Sequence, residues 1–227
     1  MKDFSIICNT SIRVIAILTV FLALTATHGF CQAQPETTDP ATRSRDLVQR
    51  GAALLEKGDI NSGMPLLQKA VEIDKTNIDA WVMISNVYLD TGKFNYALGT
   101  YRKALAALPD SPDIWFNLGY AQGRAGQHDD SIKSFDTAIK KDSDYIRAYK
   151  YKGYALVKLY RFEEAKKCFE EALRLDPGDN RARLFLGISL VESGKEDMGR
   201  KHISDALSGD QSLRDEVPST IRKMMDM

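Results

Sequence analysis

Side chains able to do chemistry are few and scattered. Beyond residue 33 the sequence holds two histidines, His128 and His202, and one cysteine, Cys168. A general base needs its partner within hydrogen-bond reach, and a metal needs three or four His, Cys or carboxylate ligands at suitable spacing. The two histidines are far apart in the chain, and no Cys or carboxylate cluster has ligand spacing. There is no glycine-rich phosphate loop and no nucleophile elbow. The expectation is no catalytic residue, no metal site and no cofactor. What remains is recognition chemistry, carried by aromatic side chains such as Phe116, Tyr120, Tyr151 and Tyr154, which offer large contact area at low entropic cost.

The charges narrow the choice of partner. Thirty-one basic residues balance 31 acidic ones, so no net field draws nucleic acid or an anionic membrane. In the run Arg161-Phe162-Glu163-Glu164-Ala165-Lys166-Lys167 the signs are mixed, as on a solvated helix face. A protein or peptide is the expected partner, with no nucleic acid; the sequence leaves the oligomeric state open.

The amino-terminal segment is of another kind. Lys2 and Arg13 precede an apolar run from Val14 to Leu24, and small and polar residues follow, which is the architecture of a signal peptide over residues 1–33. The run is about half of the ~20 residues that cross a ~30 Å membrane core. Cleavage after Ala33 or after Gly29 satisfies the small-residue rule, whereas Phe30 before Cys31 speaks against a lipoprotein. An uncleaved anchor over residues 12–26 is the alternative. Cleavage after Ala33 would remove Cys8 and Cys31 and leave Cys168 alone, with no internal disulfide possible. The expected location is exported, periplasmic or secreted, or else membrane-anchored. Cys168 itself is expected to be an ordinary, partly buried thiol.

The elements that must position the aromatic residues are legible from a beat of thirty-four. Read from Ser44, units begin at Ser44, Ile78, Pro112, Ile146 and Asn180. The eighth residue of each is small: Gly51, Ser85, Gly119, Gly153, Gly187. The twenty-seventh is Ala70, Ala104, Ala138, Ala172 and Ala206, and the twenty-fourth is Leu67, Tyr101, Phe135, Phe169 and Ile203. Large facing small is the pairing that lets two helices pack closely. Apolar residues recur three and four apart, as in Trp81, Ile84 and Tyr88, which is helical periodicity. Gly58, Gly92, Gly126 and Gly194 stand between the two helices of a unit, where a left-handed residue ends the first. Tyr160 holds that place in the fourth unit and should cost about 1 kcal/mol or more there. Pro109 and Pro177 close the second and fourth units.

The columns Trp81, Ile84, Ser85, Tyr88, Ala97, Tyr101, Ala104, Pro109 and Tyr149, Gly153, Leu156, Ala165, Phe169, Ala172, Pro177 resemble the tetratricopeptide repeat signature. The resemblance implies an all-α fold, a right-handed α-solenoid of five 34-residue helix-turn-helix repeats at 44–77, 78–111, 112–145, 146–179 and 180–213. A polar linker at 34–43 precedes it, and Val217, Ile221, Met224 and Met225 mark 214–227 as a capping helix. Departures gather at the ends, with Arg50 in an apolar column, Arg183 in the tryptophan column and Gly199 in the first alanine column. Terminal repeats face water on one side, so weakening there is expected.

By the same resemblance, the first helix of each unit lines a concave groove. The positions implied are Val82, Met83, Asn86, Phe116, Asn117, Tyr120, Arg147, Lys150, Tyr151, Tyr154, Arg181 and Phe185, with Leu184 and Ile188 beside them. One family variant clamps the C-terminal carboxylate of heat-shock chaperones with five polar residues. Asn86, Asn117 and Arg147 match only part of that clamp, since Val82 and Tyr151 stand where two of its charges belong, so these three are expected to hold peptide backbone generally. The expected function is a non-catalytic scaffold or adaptor that binds a peptide or helix in the groove. The alternative is a membrane-anchored part of an envelope assembly that uses its convex faces.

Overall fold

The computed structural model describes residues 39–225. The expected leader, 1–33, and the start of the expected linker, 34–38, lie outside the described residues. The helices are α1 (Pro40–Glu56), α2 (Ile60–Ile73), α3 (Ile78–Asp90), α4 (Phe94–Ala107), α5 (Pro112–Arg124), α6 (His128–Lys141), α7 (Ile146–Lys158), α8 (Phe162–Leu175), α9 (Asn180–Glu192) and α10 (Glu196–Gly209). A 3-10 helix (Gln211–Glu216) leads into α11 (Ser219–Met224). No strand occurs among the described residues, and none of their helices is long and apolar enough to cross a membrane. The repeat unit begins at Ser44, and residues 39–43 precede it. Residues 40–43, expected to be the end of a polar linker, form the first turn of α1, which starts at Pro40. The cause is local: Asp39 accepts hydrogen bonds from the backbone N–H of Ala41 (3.2 Å) and Thr42 (3.1 Å), with proline at the first helical position.

Within the repeat unit the helices pack as consecutive pairs. Gly153 is buried against the ring of Phe169, and a Cβ there would stand 2.6 Å from it; Gly187 and Gly119 meet Ile203 and Phe135 in the same way. Where the second pair has Ser85 instead, its hydroxyl donates to the carbonyl of Ala97 (3.4 Å). Gly199, which departs from the alanine column, has a packing reason, since a Cβ would come 2.6 Å from the Gly187 carbonyl oxygen. The left-handed turn is present as expected, with φ +70° at Gly92 and +58° at Tyr160.

A second repeated device joins one pair to the next. Trp81 Nε1 donates to the carbonyl of Lys75 (2.8 Å) and Trp115 Nε1 to that of Pro109 (2.9 Å), each six residues back. Arg183, in the same column, donates from Nη2 to the carbonyl of Pro177. The substitution that looked like terminal decay therefore preserves the hydrogen bond, because a guanidinium reaches as far as an indole and also carries a donor. Side-chain caps recur too: Asn77, Ser111 and Asp179 accept from the N–H of Ala80, Ile114 and Ala182, at the starts of α3, α5 and α9.

Successive first helices touch, α3 with α5, α5 with α7 and α7 with α9, whereas successive second helices make no comparable contact among the described residues. A stack that is closer on one side curves toward it, so the first helices line the inner face of the solenoid. At its far end Leu213, Val217 and Ile221 are buried against Leu184, Ile188, Ile203 and Ala206. The cap is thus a 3-10 helix followed by a short α-helix.

Candidate functional site

Along the inner face, Val82 and Met83 are half-buried against the core of the first pairs, and Asn86 is exposed. Asn117, Tyr120, Tyr151, Tyr154 and Phe185 are half-buried, each with part of its side chain facing outward. Phe116 corrects the expectation: it is fully buried, enclosed by Phe135, Tyr145 and Tyr151 at centroid distances of 5.6, 5.5 and 5.3 Å. The fifth position of a first helix points between neighbouring helices, so Phe116 is core. Leu184 and Ile188 are buried likewise, because the cap lies over them.

The aromatic residues that do reach the surface form one row. Tyr120 meets Tyr151 edge-on at 5.6 Å, Tyr151 meets Tyr154 at 5.5 Å, and Tyr154 meets Phe185 at 4.7 Å. The row crosses α5, α7 and α9, and such edge-to-face pairs fix ring orientation beyond what area burial does. Arginines lie against it, Arg181 5.9 Å over Tyr154 and Arg124 6.0 Å over Tyr120, while Arg147 is 4.3 Å over the core ring of Phe116, which itself packs on Tyr151. Burial raises the Tyr154 hydroxyl well above the usual phenol range, and its oxygen has no hydrogen-bond partner among the described residues.

The basic fringe is less free than its sequence suggests. Lys150 pairs with Asp179, and Arg181 with Glu216 of the cap (3.0 Å). Arg147 has no carboxylate partner among the described residues and is exposed, which leaves it able to meet a ligand.

Beneath the row, α5, α6 and α7 line an open pocket of about 190 Å³. Tyr120, Tyr151 and Tyr154, three of the expected groove residues, line it together with Gly123, Phe135 and Ala155. Arg124, His128 and Lys158 also line it, with Arg124 and Lys158 exposed. Arg124, Lys158 and Gly123 were not singled out from the sequence, and His128 was considered there only for catalysis or metal binding. A signal was present, since the twelfth residue of the units reads Leu55, Leu89, Gly123, Val157 and Val191.

The groups considered first for chemistry sit apart. Cys168 is buried, and burial pushes its thiol up to about 11, far from a reactive thiolate. His202 lies half-buried on α10, where burial lowers its pKa, well away in sequence from His128, which lines the pocket. Among the described residues no three His, Cys, Asp or Glu side chains converge to hold a metal ion.

Residues 86–126 match a family model for the TPR repeat, and residues 112–145 and 146–179 each match a model for the tetratricopeptide repeat. Among curated proteins no match is found. The structure is similar to that of Pseudomonas aeruginosa pilF, at 23% identity over 75% of this chain and 78% of that one, with a TM-score of 0.65. It is similar to MamA, at 22% identity over 73% of this chain and 96% of that one, TM-score 0.63. It is also similar to YrrB, at 19% identity over 73% and 85%, TM-score 0.59. At such identities the likeness is one of fold. Two of the matches, 112–145 and 146–179, coincide with the thirty-four-residue units that set small eighth against large twenty-fourth residues, and residues 86–179 of the chain are tetratricopeptide repeats.

Proposed function

We propose that this protein is a non-catalytic interaction scaffold that holds an extended peptide or a helix of a partner protein along the face of α3, α5, α7 and α9. The observation that carries this is the surface aromatic row from Tyr120 to Phe185 with Arg147 beside it. Contiguous half-buried aromatics with a guanidinium at the edge are the composition of interaction hot spots. YrrB, described as a TPR protein with an unusual peptide-binding site, shares the fold. Five repeats, capped by α11, and an exported or envelope location complete the proposal. The location rests on the leader-like sequence of residues 1–33.

The test uses the full chain. The triple variant Asn86→Ala, Asn117→Ala, Arg147→Glu changes groove polar groups outside the fully buried core. The partner that co-purifies with the native protein should be recovered at least tenfold less by the variant, with circular dichroism unchanged. Unchanged recovery would sink the groove reading.

A second reading has its own support. A cleft of about 600 Å³ opens between α2 and α4, floored by Trp81, Ile84 and Tyr88 of α3. Ile60, Tyr96, Tyr160 and Met198, near the starts of second helices, are all exposed apolar residues. These features suit a component of a larger envelope assembly that makes contacts away from the groove, anchored through its leader. That reading would gain if the groove variant kept its partner.

A further inference from the structure

The pocket beneath the aromatic row exists because one side chain is missing from a repeated contact. In the first and fifth pairs the twelfth residue packs on the twentieth: Leu55 against Gly63, and Val191 against Gly199. In the third pair the twelfth residue is Gly123, and beyond its chain neighbours and the backbone of α5 the one described atom within 4 Å of a Cβ placed there would be Ser131 Oγ, at 3.4 Å. Ser131 cannot fill the space, since its hydroxyl is held by the Gly119 carbonyl at 2.8 Å. Gly123 sits inside α5 with ordinary helical backbone, so no left-handed turn requires a glycine there. The space it leaves is lined by the groove residues Tyr120, Tyr151 and Tyr154.

We infer that this space is an anchor pocket for one bulky apolar side chain, leucine to phenylalanine in size, from an acidic peptide segment. The inference rests on the groove reading above and names the partner's chemistry. Size supports the anchor: an apolar cavity of ~150 Å³ accepts a benzene ring, and this open pocket measures about 190 Å³. The lining includes the aromatic residues Tyr120, Tyr151 and Phe135, which suit an aromatic or branched aliphatic group. Charge supports the acidic flank. The lining includes Arg124, Lys158 and His128 and no carboxylate. Lys158 is exposed without an acidic partner among the described residues, whereas Arg124 has Asp90 at 3.9 Å and donates to the Tyr120 hydroxyl at 3.4 Å. A carboxylate one or two residues from the anchor would meet Lys158.

The test is fluorescence anisotropy with synthetic dodecapeptides that differ at one central residue, Ala, Leu or Phe, flanked by either glutamates or lysines. The full chain should bind the glutamate-flanked Phe peptide at least tenfold more tightly than its Ala counterpart and than the lysine-flanked Phe peptide. Gly123→Leu puts a side chain into the pocket while raising helix propensity. It should keep the melting temperature and lose at least tenfold in affinity for the Phe peptide. Lys158→Glu, on the exposed rim, should reverse the preference for flanking charge, which tests the site even if Gly123→Leu folds poorly. Equal binding of the Ala and Phe peptides, or no binding of either at millimolar concentration, overturns the inference. So does full binding of the Phe peptide by a folded Gly123→Leu. If Gly123→Leu retains the native partner while the Asn86, Asn117, Arg147 variant loses it, the pocket is wrong and the groove stands.

Discussion

Tyr160 occupies the turn between α7 and α8 at φ +58°, where the other central turns use glycine, and its side chain is 81% exposed. Its ring has Phe162 at 6.0 Å and no burial to offset the strain. A left-handed non-glycine residue costs roughly 1–2 kcal/mol, part of which glycine would return through its larger unfolded-state entropy. Tyr160→Gly should therefore raise unfolding stability by about 0.5–1 kcal/mol, measured by urea denaturation; a loss of stability would mean that the ring contact outweighs the strain. An exposed aromatic kept at such a cost is a reason to look for a partner at that turn. Site residues were legible only by position. The groove columns found Tyr120, Tyr151 and Tyr154, yet they also took in Phe116, because sequence position does not say how closely the next helix approaches. Gly123 went unremarked because an anchor is sought among large side chains, while a pocket is made by a small one.

At the scale of the helix pair, the same substitution should have opposite signs at two glycines. Gly153→Ala puts a methyl 2.6 Å from the Phe169 ring, which is fully buried and held by Tyr154 and Phe185 at 5.4 and 5.8 Å. Overpacking of this kind costs about 1–3 kcal/mol. Gly99, inside α4, has nothing within 4 Å of a Cβ, so Gly99→Ala should gain about 0.5–1 kcal/mol from helix propensity. Thermal melts of the two variants would check the pair, and a shared sign would show that packing at the eighth column is softer than the geometry implies. This column was plain in the sequence because close helix contact forces small residues into a fixed register. Other links were hidden by their chemistry. Arg183 read as a lost tryptophan, since a pattern of apolar residues does not reveal that the indole N–H is the part being conserved physically. Asp39 and Pro40, read as linker, are a helix start whose effect depends on two side-chain hydrogen bonds.

In the repeat unit as a whole, each pair touches only its neighbours, so the outer face of the last pair depends on its cap. Leu213, Val217 and Ile221 are at most 5% exposed, and burying such side chains contributes about 1.5–3 kcal/mol each. Removing residues 211–227 uncovers Leu184 and Ile188 on α9 and Ile203 on α10, and takes Glu216 from Arg181. The loss should fall on the pair that bears it. Hydrogen exchange at α9 and α10 amides is expected to accelerate by orders of magnitude while α3 to α6 stay protected, because coupling in a stack passes from neighbour to neighbour. The uncovered apolar face should also associate, so sedimentation velocity should become concentration-dependent. Val217→Asp with Ile221→Asp should reproduce the exchange pattern without shortening the chain. Equal loss of protection in every helix would instead mean that the pairs unfold as one unit, with stability shared across the stack and not graded toward its end.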